Sequence, residues 1–250
     1  MSKTDPISFL RIAIGFFFII VQSILMTPLF LLFLPSRHYR IRIGNLYGKT
    51  VTPFIFFALG IRLKIKNKDR LNGQYPAIYL SNHSSQIDPL IAIKLAPFGG
   101  CGVAKKEIAS VPFFGWSYRL SGHLLLDRSN REKAIASMAE LSQDVKKYNL
   151  GVWIWPEGTR SKTGRLIPLK KGFVHMAIAT GLPIVPVVVK QAHKRWPAKS
   201  FTIDPGVIEI DVLEAVSTKD WKPETVEQHI EQVRNIYLEQ LPEDQKPLPS

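Results

Sequence analysis

Ala77-Ile78-Tyr79-Leu80-Ser81-Asn82-His83-Ser84-Ser85-Gln86-Ile87-Asp88-Pro89 decides how the chain is read. Ala77 to Leu80 is a short apolar run of the kind that forms a buried strand. The segment from Pro89 to Leu95 reads as a helix, with proline at its first turn. Between the two lies a polar loop with a histidine and an aspartate five positions apart. A strand emptying through a loop into a helix is the unit of α/β proteins, which place ligands where strands end.

The same alternation extends outward. Before it, Ile61, Leu63 and Ile65 alternate with Arg62, Lys64 and Lys66, as in a half-exposed strand. After it come short strand candidates around Val103 and over Leu124 to Leu126. Ser129 and Glu132 form a capping box for a helix with Ile135, Met138, Leu141 and Val145 on one face. Val152 to Trp155 is a strand, Lys170 to Thr180 a helix closed by Gly181, and Ile184 to Val189 a β-branched central strand. Val207 to Val212 is a late strand, and Val226, Ile230, Val233 and Tyr237 mark a C-terminal amphipathic helix. His175 falls on the apolar face of its helix and is expected to pack. The pattern predicts an α/β fold: a single domain with a largely parallel or mixed central sheet flanked by helices. Its expected limits are residues 61–241, followed by a loose tail at 242–250.

Residues 1–60 differ. Ile12 to Leu34 holds no charged residue and is long enough to cross a bilayer, which takes about 20 apolar residues. Pro28 should kink or break a helix there. No small-residue cleavage site follows, which argues against a signal peptide. Val51 to Ile61 is apolar but too short to span, and suits an interfacial segment or the second arm of a hairpin. Arg37, Arg40, Arg42, Lys49, Arg62, Lys64, Lys66, Lys68 and Arg70 surround these stretches, against Asp69 alone. The expectation is an N-terminal membrane-anchoring helical hairpin, anionic membrane lipids as partners, and a catalytic domain on the cytoplasmic face.

The chain has 250 residues, 46% of them hydrophobic, and a formal net charge of +13. That surplus calls for an anionic surface or substrate. Nucleic acid is not expected, because aromatic residues are not interleaved with the cations as stacking platforms. Cys101 is the only cysteine, so no internal disulfide forms. No cysteine or histidine spacing suits a metal, and none is expected.

Two readings of the first loop stand side by side. A free imidazole titrates near ~6.5 and can accept a proton at neutral pH, and a carboxylate at Asp88 would hold one ring nitrogen of His83 as N–H and leave the other as a base. Alternatively, Asp88 caps the helix that Pro89 begins, and His83 is a loop residue. A second strand, Val152 to Trp155, empties into Pro156-Glu157-Gly158-Thr159-Arg160-Ser161-Lys162-Thr163-Gly164-Arg165, where hydroxyls, backbone N–H groups and an arginine suit a phosphate. Leu124 to Leu126 delivers Arg128, which suits phosphate too or pairs locally with Asp127 or Glu132.

Together these segments resemble the glycerolipid acyltransferase family, in particular its members that acylate 1-acylglycerol 3-phosphate. The resemblance covers roughly residues 60 to 215. It is carried by Asn82-His83 through Asp88-Pro89, Gly122 to Arg128, Pro156-Glu157-Gly158-Thr159-Arg160, and Leu182-Pro183-Ile184-Val185-Pro186-Val187, with Val103 to Glu107 and Pro112 to Trp116 in support. It implies His83 as general base with Asp88 as its partner, in an HX4D motif. It implies a phosphate site formed or shaped by Arg128, Glu157, Gly158, Thr159 and Arg160, with Lys105 as a further contact, and an acyl region lined or braced by Leu182 to Val187. The implied reaction moves an acyl group from acyl-CoA or acyl-carrier protein, a co-substrate rather than a cofactor, to lysophosphatidate in phospholipid biosynthesis. Oxyanion donors are expected among the backbone N–H groups near His83. The family usually has Phe where this chain has Trp155, and Phe in the stretch that here reads Leu124-Leu125-Leu126.

Three alternatives remain open: a related acyltransferase for another lyso-lipid, a lipid hydrolase or thioesterase, and a basic membrane adaptor. Against the hydrolase, Gly115-Trp116-Ser117-Tyr118-Arg119 lacks the second glycine of a nucleophile elbow.

Overall fold

The computed structural model describes residues 5–126 and 131–248, with backbone alone at Lys105 and at 131–136. The capping box at Ser129 and Glu132 therefore lies outside the described residues and side chains.

Among the described residues, the strands are β1 (Ile61–Lys66), β2 (Ile78–Ser81), β3 (Gly100–Lys105), β4 (Leu124–Leu126), β5 (Gly151–Ile154), β6 (Ile184–Lys190) and β7 (Gly206–Val212). They form one seven-stranded sheet in the order β1-β7-β6-β2-β5-β3-β4. From β6 to β4 every neighbouring pair is parallel. β7 runs antiparallel to β6 and parallel to β1, so the sheet is mixed. The helices are α1 (Pro6–Leu32), α2 (Arg37–Leu59), α3 (Arg70–Gly73), α4 (Asp88–Leu95), α5 (Phe114–Leu120), α6 (Arg131–Tyr148), α7 (Gly172–Thr180), α8 (Ala192–Arg195) and α9 (Val226–Gln240).

Strand alternation sorts the core into two layers. Ile78, Leu80, Val152 and Ile154 face α6, α7 and α9, through Leu141, Val145, Phe173, Val233 and Tyr237. Tyr79, Trp153, Val185 and Val187 face the other way, onto α2 and α4, through Val51, Ile55, Ile91 and Leu95. Each fully buried Ile, Val or Leu contributes roughly 1.5–3 kcal/mol, so α2 is an integral part of the second layer. Gly181 closes α7 in the left-handed conformation, with φ 71°.

Helix α1 packs on α2 and leaves its outer face apolar: Phe9, Leu10, Phe17, Leu25 and Leu32 are exposed, as is Phe57 of α2 at 87%. Such a surface belongs against lipid rather than water, and it associates the protein with a membrane. Both ends of the helix are tied down. At its start, the Ile203 N–H donates to Ser8 Oγ at 2.9 Å. Just past its end, Arg37 donates to Gly122 O at 3.0 Å and to Asp144 at 2.6 Å. The 27-residue helix, about 40 Å long, therefore lies along the α/β domain.

Four expectations are corrected. Helix α1 continues through Pro28, so of the kink or break expected there the break does not occur. Proline there lacks only its own N–H donor, and the neighbouring Thr27 hydroxyl donates to Ser23 O at 2.7 Å. His175 points to solvent, because the apolar face of α7 passes through Phe173, Val174, Met176 and Ala177 instead. The tail at 242–250 is not loose over its described part: Gln245 is fully buried, with its carbonyl accepting from Leu166 N–H at 2.8 Å and its amide oxygen from Gln191 N–H at 2.6 Å. The basic collar is partly used within the protein. Arg37 and Arg40 bond the α5–β4 connection, Lys64 pairs with Glu209, and Arg70 pairs with Glu214.

Candidate active site

The parallel strands β2 and β5 are neighbours and end at the same edge of the sheet. That register brings the two loops singled out above together. His83 follows β2 by two residues. Its Nδ1 lies 2.8 Å from Asp88 Oδ2. The same oxygen accepts the Ser84 and Ser85 N–H groups, each at 2.8 Å. Asp88 is 2% exposed and sits in the first turn of α4. Its carboxylate turns back onto the histidine loop, which decides between the two readings of this residue: it orients the loop and does not cap its own helix. Asp88 Oδ1 and Ser84 Oγ are the loop's buried atoms without a partner.

Glu157, 1% exposed, spans the two loops. One carboxylate oxygen accepts His83 N–H at 2.5 Å and the other accepts Ile167 N–H at 3.2 Å. Burial pushes its pKa up to about 8, against the pull of those two N–H donors. It shapes the site from behind and faces no open space. Asn82 stitches the loop to β6 by a reciprocal pair with Val189, at 2.9 and 2.8 Å. Ser161 N–H donates to His83 O at 2.8 Å.

These bonds correct one expectation. The N–H groups of His83, Ser84 and Ser85 are all taken by carboxylates, that of Gln86 by Trp196 O and that of Ile87 by Ser85 Oγ. The His83 turn therefore holds no spare backbone donor for an oxyanion. The N–H groups of Thr159 and Arg160 donate to nothing else among the described residues.

A cavity of about 650 Å³ opens beside His83. Its mouth is lined by Gly158, Thr159, Arg160, Lys162 and Lys199. Gly158 has φ 72°, a left-handed turn that lets the chain double back after Glu157. Arg160 touches Gln86 Oε1 at 3.5 Å, and among the described residues Arg160, Lys162 and Lys199 pair with no carboxylate. The interior is apolar, walled by Phe30 of α1, Tyr47 of α2, Ile93 of α4 and Val111 and Phe114 near α5. Leu182 to Val187 line none of it; they lie in and before β6 and brace the sheet below. Lys105 ends β3, and its side chain is not described; Arg128 lies outside the described residues.

Sequence reasoning missed three cavity residues. Lys162 sits within the quoted turn, so its charge could have been included. Lys199 comes from the β6–β7 connection and belongs to no recognisable motif. His123 lines the inner cavity, and burial pushes its pKa down to about 4, keeping it neutral. Ser121 Oγ donates to Tyr118 O at 2.7 Å and must therefore accept from His123 Nδ1, at 2.8 Å. Cys101, fully buried with its thiol pushed up to about 12, is no nucleophile.

The arrangement joins an imidazole held by a buried carboxylate, an apolar cavity and three cations that pair with no carboxylate among the described residues. The comparisons with known proteins agree with it. Residues 62–190 match the family model described as Acyltransferase. A 1-acyl-sn-glycerol-3-phosphate acyltransferase of Cocos nucifera is 41% identical over 99% of this chain and 80% of its own length. One of Escherichia coli (strain K12) is 30% identical over 80% of this chain and 79% of its own length. The fold matches the crystal structure of the 1-acyl-sn-glycerophosphate (LPA) acyltransferase PlsC from Thermotoga maritima, with a TM-score of 0.76 at 21% identity, covering 92% of this chain and 93% of that one. With the histidine–aspartate pair at a strand end and the family match across more than half its length, the chain is an enzyme of the acyltransferase family.

Proposed function

We propose that the protein transfers a fatty acyl group from a thioester, of coenzyme A or of acyl-carrier protein, to the free sn-2 hydroxyl of 1-acylglycerol 3-phosphate, yielding phosphatidate for phospholipid synthesis. The observation that carries the reading is the His83–Asp88 contact of 2.8 Å at the rim of an apolar cavity with Arg160 at the same mouth. Asp88 accepts a hydrogen bond from Nδ1–H, which keeps that proton on the ring and leaves Nε2 as the base. The acceptor hydroxyl gives its proton to Nε2 as its oxygen attacks the thioester carbonyl. The C–O bond forms, the C–S bond breaks, and the imidazolium returns the proton to the departing thiolate. The oxyanion falls to Thr159 and Arg160, whose N–H groups have no partner among the described residues. Arg160, Lys162 and Lys199 hold the acceptor phosphate, joined by Lys105 and Arg128 as the family resemblance implies.

No serine hydroxyl or thiol bonds the His83 ring among the described residues, so no observation favours a hydrolase. Because both ends of α1 are tied to the domain, the hairpin enters one leaflet by its outer face, on the cytoplasmic side. Arg42, Arg62, Lys66 and Lys68, all exposed, meet anionic headgroups there. Incubation with a panel of lyso-acceptors and both thioester donors, read by mass spectrometry of the lipids formed, tests the reading. Phosphatidate should form from lysophosphatidate. Release of free fatty acid without acylated product would reject it.

A further inference from the structure

The His83 ring has a second neighbour that the proton chemistry does not yet use. The Trp155 indole stacks on it, with ring centroids 4.6 Å apart and planes 22° from parallel. Asp88 grips the imidazole by one edge atom, which leaves the tilt of the ring to whatever lies against its face. Two residues earlier, Trp153 anchors its indole by donating Nε1–H to Ser81 Oγ at 2.9 Å. Trp155 has no such anchor: its Nε1 is buried and without a partner. A buried donor without an acceptor costs stability, and a phenyl ring would cover the imidazole without that cost. What indole adds over phenyl is a wider, more electron-rich face, the best of the aromatic side chains for a cation. The titratable and charged groups around His83 are Asp88 at its ring edge, Glu157 on its backbone N–H, which burial favours in its neutral form, and the cations Arg160, Lys162 and Lys199 at the cavity mouth. Those cations disfavour a further positive charge at the imidazole.

We infer that Trp155 is a positioning residue for acyl transfer: its indole face fixes the tilt of His83 and stabilises the imidazolium formed as the acceptor hydroxyl gives up its proton. This rests on the reading of His83 as the base. The ring is most valuable while the proton sits on His83, so it lowers the barrier of the chemical step and leaves substrate binding alone.

Fluorinated tryptophans at position 155 alone, with Trp116, Trp153, Trp196 and Trp221 unchanged, test this with almost no change of shape. Turnover should fall stepwise with each added fluorine, reaching a loss of about 2- to 30-fold in the tetrafluoro form, the range a cation–π contact supplies. KM for donor and acceptor and the thermal midpoint should stay constant. Trp155→Phe should fall between wild type and Trp155→Leu in kcat without losing thermal stability, since the orphan N–H is gone. Constant kcat across the fluorine series would overturn the inference even if the leucine variant fails to fold. His83→Ala separates the two levels of the argument: wild-type turnover in that variant rejects the base itself, whereas a dead variant with a flat fluorine series rejects Trp155 alone.

Discussion

The two sides of the cavity mouth are built to different rules. On the His83 side, the backbone N–H groups from His83 to Ile87 are all bonded, two buried carboxylates span the loop, and Asn82 pins it to the sheet. On the cationic side, Arg160 has one long contact, and Lys162 and Lys199 have no carboxylate partner among the described residues. The difference fits the role proposed for each side. A base must be aimed at one proton, and aiming errors of an ångström are costly in rate. Cations that meet a dianionic phosphate are organised by the ligand, and a resident carboxylate would compete with it.

The largest expected effect lies on the rigid side. His83→Ala should lower kcat by about 10²–10⁴-fold with an unchanged thermal midpoint, as steady-state assays and calorimetry would read; a smaller loss would mean the loop's order serves something other than proton transfer. Next comes Glu157→Gln, which leaves one of two buried N–H donors facing an amide and should cost about 1–3 kcal/mol in urea unfolding. The fold holds the Glu157 proton up to about pH 8, against an ordinary 4.5. The native protein thus binds more protons between those values and loses stability as pH rises through them. The gap between wild type and Glu157→Gln should therefore narrow from pH 5 to pH 8. A gap that stays constant would mean the carboxyl is ionised throughout. On the loose side, Arg160→Ala should raise KM for the acceptor by about 10- to 100-fold, the worth of a charge-assisted bond, with little effect on the donor. Lys199→Ala should raise it only by about 2- to 5-fold, as befits a solvated cation. If Lys199 proved the stronger of the two, the contrast between anchored turn and outlying loop would have to be redrawn.

Much of the rigid side was legible in the sequence. A strand that runs out into Ser81-Asn82-His83 and another that is followed by Trp155-Pro156-Glu157 carry their chemistry in one local window each, and strand adjacency does the rest. What was not legible depends on distant pairing. Lys199 reaches the mouth because the β6–β7 connection folds over it, and nothing in its own neighbourhood announces that. His123 became a cavity residue only when α2 and α5 closed around it. The N–H groups of the His83 turn looked available until Glu157 and Asp88 were seen to consume them. Arg37 and Arg40 read as lipid-facing cations because charge is local information, whereas the carbonyls that claim them come 80 to 85 residues later.

Gln245 carries a practical consequence. Its backbone oxygen secures Leu166, just downstream of the Arg160 turn, and its side chain secures Gln191, at the root of the loop that bears Lys199. A single glutamine thus buckles together the two straps that carry the positive charge proposed to meet the substrate. Trimming the last few residues, or forcing a purification handle against them, should blunt recognition of the lipid headgroup from a place that never touches it.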